Sequence, residues 1–69
     1  MKVKGLLQIV SPDRTIWVEG QDELSIDVAR PNDLMPETLE REIDFIYPWL
    51  SKNLGGINVI VVRVKEEQK

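Results

Sequence analysis

A chain of 69 residues with 12 acidic and 9 basic side chains, a net charge of −3 and neither cysteine nor histidine excludes several kinds of function at once. Disulfide staples, Cys/His zinc sets and nucleophilic catalysis by Ser/His or Cys/His pairs have no residues from which to be built. At this size the folded chain hides only about 60% of the surface its unfolded form exposes, so association with another molecule is the staple left open.

In chain order, Val3, Leu7 and Ile9 occupy odd positions of a first apolar run, which predicts a strand ending at the turn signal Ser11-Pro12-Asp13-Arg14. Thr15–Glu19 carries Ile16, Trp17 and Val18, residue types that fit a pleated surface, and is the second predicted strand. After Gly20-Gln21-Asp22, Leu24, Ile26 and Val28 alternate with Ser25, Asp27 and Ala29, the period of a strand with one wet face. Arg30 to Met35, with Pro31, Asn32 and Asp33, reads as an irregular loop.

Pro36 suits a first helical turn, and Glu37 and Glu40 favour its positive end. Leu39, Ile43, Ile46, Leu50 and Leu54 then recur at steps of three or four, predicting one helix up to Gly55-Gly56, kinked or broken at Pro48. Ile57–Val64 is the last predicted strand, with Lys65 to Lys69 a polar tail.

The resulting fold class is α+β, in the order β-β-β-α-β, with a single helix packed on one face of a four-stranded mixed sheet. Spatial order 4-1-2-3 is expected, with 1-2-3-4 as the alternative, and residues 1–69 form a single domain. The last strand should lie parallel to a neighbour because the helix is a crossover. Lys2, Lys4 and Gln8 interrupt the first apolar run, so neither a signal peptide nor a membrane span is expected and a cytoplasmic location is.

Functional expectation follows from surplus apolar side chains. Alternation sends Leu6, Trp17, Val59 and Val61 to the sheet face that the helix leaves bare, and Phe45 and Trp49, four apart, form a second stripe beside the helix's apolar one. The strand 57–64 is apolar on both faces, which suits a central strand, or an edge that meets another molecule. These features point to a non-enzymatic protein–protein interaction module, a small subunit or regulator that binds a larger protein, and a homodimer.

The charge distribution supplies the alternative. From Glu19 to Asp44 nine acids stand against Arg30 and Arg41, a net of −7, while each flank carries +2. Asp22, Glu23, Asp33, Glu37, Glu40 and Asp44 are therefore candidates for an acidic face that mimics nucleic acid and occupies the basic cleft of a nuclease or polymerase. Direct nucleic-acid binding would need the opposite field. Paired carboxylates could also serve a small enzyme, but no catalytic residue is singled out. Gly55-Gly56 follows a helix signal where a phosphate cradle precedes one, and no cofactor or metal is expected.

Overall fold

A computed structural model describes residues 1–52 and 55–66. Its elements are α1 (Val3–Leu6), β1 (Thr15–Glu19), β2 (Ser25–Ala29), a 3-10 turn (Pro31–Asp33), α2 (Pro36–Leu39), β3 (Ile43–Ser51) and β4 (Ile57–Val64). The class is α+β with a four-stranded mixed sheet and two short helices, in the order β2-β1-β4-β3. β1 runs antiparallel to β2 and parallel to β4, and β3 runs antiparallel to β4.

Two predicted elements change type. The first run is helical where a strand was expected, because Val3, Leu6, Leu7 and Val10 also recur at i, i+3, i+4 and i+7, the period of one helix face. Those four residues pack into the core beneath the sheet, whereas Ile9, which the strand pattern needed, is exposed. The expected helix over 36–54 is only the single turn of α2. From Ile43 onward β-branched and aromatic side chains favour the pleated state, and Pro48, forbidden in a helix interior, is tolerated on a sheet edge. Pro48 therefore neither kinks nor splits a helix; it sits in β3 opposite Ile60.

The expected orders 4-1-2-3 and 1-2-3-4 fail for the same reason. With 43–51 available as a strand, the strand 57–64 acquires partners on both sides and becomes central, and it buries Val59 and Val61 on one face as well as Val62 and Val64 on the other. Its pairing with 15–19 is parallel, as the crossover required. The sheet edges are β2 and β3 instead.

Gly55-Gly56 turns the β3–β4 hairpin instead of capping a helix. Both residues have φ of 78°, a conformation that glycine adopts without a Cβ clash, and the Gly56 N–H donates to the Ser51 carbonyl at 2.9 Å. That carbonyl faces β4, so alternation along the strand turns the backbone of Pro48 toward the open edge, where its missing donor costs no ladder bond. The start of the same edge is covered by the chain itself. Val3 donates to the Arg41 carbonyl at 3.0 Å, and Ile43 donates to the Met1 carbonyl at 2.8 Å. Leu54, placed last in the predicted helical stripe, and residues 67–69 of the predicted tail lie outside the described residues.

The core lies between the sheet and the helical layer: Val3, Leu6 and Leu34 meet Ile16, Val18, Val62 and Val64. Asp27 ties the two layers, accepting from the Met35 N–H at 2.9 Å and the Thr38 hydroxyl at 3.0 Å, which anchors the start of α2 to β2, while the Thr38 and Leu39 amides donate to the Met35 carbonyl. No described helix is long and apolar enough to cross a membrane.

Candidate functional site

Pairing fixes which side chains share the sheet face opposite the helices. Thr15, Val59 and Trp49 form one rung across β1, β4 and β3; Trp17, Val61 and Tyr47 form the next; Glu19, Arg63 and Phe45 form the third. Val28 extends the middle rung onto β2. No described element crosses this face, and a groove of about 700 Å³ opens on it, lined by Trp17, Tyr47, Trp49 and Val61, with Lys52 and Glu23 also on its walls.

Val59 and Val61 are 1% and 3% exposed although they do not belong to the helix-side core. Their cover is the aromatic side chains beside them in the rungs. Those aromatics remain accessible: Trp17 and Tyr47 are half-buried, while Phe45 is 45% and Trp49 58% exposed. A second row of exposed apolar groups, Ile46 and Leu50, lies on the other face of the same edge strand.

One end of the groove is a polar network. The Arg63 Nε donates to the Glu19 carboxylate at 2.8 Å and its Nη2 reaches the same oxygen, to which the Tyr47 hydroxyl also donates at 3.3 Å. Glu19 is 6% exposed, so these donors replace the water that burial removed. The Arg63 guanidinium lies 5.1 Å from the centre of the Phe45 ring, and Phe45 stacks on Tyr47 at 5.9 Å. Hydrogen bonding to Glu19 raises the Arg63 pKa further above its usual range. Burial, reinforced by the charge of Glu19, pushes the Tyr47 phenol above 10.0.

Of the residues singled out from the sequence, Trp17, Val59, Val61, Phe45 and Trp49 come together on this face. Leu6 does not. It is 4% exposed in the helix-side core, because a helical first segment cancels the alternation that had sent it outward. Tyr47, Arg63 and Glu19 were missed, since a helical reading of 36–54 hid the period-2 series Phe45, Tyr47, Trp49 that aligns them.

The six acids fall into separate places. Asp22 and Glu23 are in the β1–β2 turn; Asp44 stands at a bulge at the start of β3, accepting from Gln21 at 3.1 Å. Asp33 and Glu37 sit in the helical layer. Glu40 is engaged by Lys2 at 2.8 Å and Lys4 at 3.0 Å, whose hydrogen bonds hold its carboxyl down at about 2. Glu23 approaches Arg63 at 3.4 Å. The acidic segment is thus offset in part by the basic flanks folding against it.

Compared with family models, curated proteins and solved structures, the chain matches none.

Proposed function

We propose that this chain is a non-enzymatic protein-binding module whose contact surface is the open sheet face, acting in the cytoplasm as a small subunit or regulator. The observation that carries this reading is the solvent exposure of Trp49 and Phe45 beside a groove lined by the buried Val61. Monomeric proteins seldom leave aromatic groups contiguous on one face, and aromatic side chains dominate binding energy where they are buried by a partner. The strand that had been expected to offer its edge, residues 57–64, is paired on both sides, so the reading rests on side chains and not on strand addition there.

Binding is favoured over catalysis because Glu19, the one buried carboxylate on this face among the described residues, is fixed by Arg63 and Tyr47. The Arg63 and Tyr47 donors all meet its Oε2 and hold the side chain in place as part of the fold.

Affinity capture from an extract of the source cell tests the proposal, with wild-type protein and a Trp49→Ser/Phe45→Ser variant as baits. A protein retained by the wild type and lost by the variant supports the open face as the contact surface. Recovery of the same proteins by both baits would overturn it.

A further inference from the structure

We infer that the open sheet face is covered by a second copy of this chain, docked face to face about a two-fold axis that exchanges the two ends of the groove. This deepens, and rests on, the reading of that face as a protein-binding surface.

The charges at the ends of the groove select this occupant. At the hairpin end stands Lys52, and at the other end Glu23, both lining the groove. Beyond Lys52, Arg14 directly precedes Thr15, which pairs with Val59 at the start of β4. Beyond Glu23 are Asp22 and Asp44, the latter joined through Gln21 to the carbonyl of Val64 at the end of β4. Arg63 also stands at this second end, paired with Glu19 and 3.4 Å from Glu23, so two lining acids face one base there and the face is positive where β4 begins and more weakly negative where it ends. A two-fold axis lying between two such faces, perpendicular to the groove, sets Lys52 over Glu23 of the partner subunit, and the symmetry makes the same pair twice.

Packing through side chains is also the route that the backbone leaves. Pro48 presents no donor at the middle of the β3 edge, and residues 1–3 already bond to 41 and 43 at its start, so pairing two β3 strands edge to edge meets a gap at its centre. Two sheets stacked about 10 Å apart instead let Trp49, Trp17 and Phe45 interdigitate with their symmetry mates. A standard interface hides about 800 Å² per partner, roughly a sixth of the 4896 Å² accessible surface, which one face of a two-layer domain can supply.

Sedimentation equilibrium of the purified chain over a dilution series tests the inference. The wild type is expected to be a dimer that dissociates on dilution. Trp49→Ser should raise the dimer Kd by about a hundredfold; Lys52→Glu and Glu23→Lys should each raise it by about tenfold, and the double charge exchange should restore it. Far-UV circular dichroism identifies any variant that has lost its fold, with Phe45→Ser as the substitute for Trp49→Ser. A strict monomer at all concentrations overturns the inference, as does a dimer indifferent to residues 45 and 49. A double exchange no better than the singles overturns the end-for-end arrangement. A monomer whose wild-type face still captures a protein that the Trp49→Ser/Phe45→Ser bait loses would sink the second copy while leaving the binding surface standing.

Discussion

Replacing Arg63 with methionine removes two of the donors that hold the Glu19 carboxylate and leaves it, 6% exposed, with the Tyr47 hydroxyl. The pair is part-buried, with the Arg63 side chain 17% and the Glu19 side chain 8% exposed, so the loss falls below the about 3–5 kcal/mol of a fully buried pair broken by deleting one partner. Water entering the groove after the side chain is shortened moderates that, and the lost contact with Phe45 adds about 0.5–1 kcal/mol, so a net loss of about 2–3 kcal/mol is expected. A domain of this length has a total stability of roughly 5 kcal/mol, and each kcal/mol moves its midpoint by about 4–8 °C; the variant should therefore melt about 10–20 °C lower. Urea unfolding followed by tryptophan fluorescence, together with a thermal scan, measures both quantities. The double variant Glu19→Leu/Arg63→Met should lose less than Arg63→Met alone, because no charge is then stranded. A loss below about 1 kcal/mol for Arg63→Met, or a double variant whose loss equals the sum of the two singles, would refute the assignment of this pair as a coupled unit.

Three further outcomes are expected. Tyr47 is the chain's one tyrosine, so tyrosinate absorbance reads it alone: its midpoint should lie above 10.0 in the folded protein and return to about 10 in denaturant. Since the folded pKa is the higher one, the associated stability is complete below the unfolded pKa and lost as pH rises through the folded value; equal midpoints in both states would contradict the burial. Pro48→Thr restores a donor to the open edge of β3 and should raise aggregation, seen as increased light scattering at concentrations where the wild type is clear; unchanged scattering would remove proline's guarding role. Ile16→Ala, at a side chain with no exposure on the helix side of β1, should cost about 2–4 kcal/mol in urea unfolding, and a loss under about 1 kcal/mol would mean that the core is not where the sheet and helices meet.

Local chemistry determined part of this molecule unaided. Ile16, Trp17 and Val18 between a turn signal and Gly20, and the alternation from Leu24 to Ala29, read as strands because no helical period competes in those windows. Ile57–Val64 read as a strand for its β-branched run, and the lack of histidine and cysteine removed whole classes of chemistry before any geometry was known. Where two periods coexist in one segment, the sequence was ambiguous. Val3, Leu6, Leu7 and Val10 satisfy a helix, while Val3, Leu7 and Ile9 satisfy a strand; Ile43, Ile46 and Leu50 fit a helix, while Phe45, Tyr47 and Trp49 fit a strand around a proline that a helix rejects.

Only tertiary structure chose between them. A strand at 43–51 gives β4 a second neighbour, and α1 with the turn after it, through Val3, Leu6, Leu7 and Val10, closes the core that a fifth strand would have left uncovered. The site is the clearest product of that choice. Glu19, Tyr47 and Arg63 are separated by 28 and 16 residues in the chain, and they converge on one carboxylate oxygen because a parallel and an antiparallel pairing place their strands side by side. Period and propensity act over a few residues, whereas strand order is set by which long-range pairings bury the most apolar surface, and that information is distributed over the whole chain.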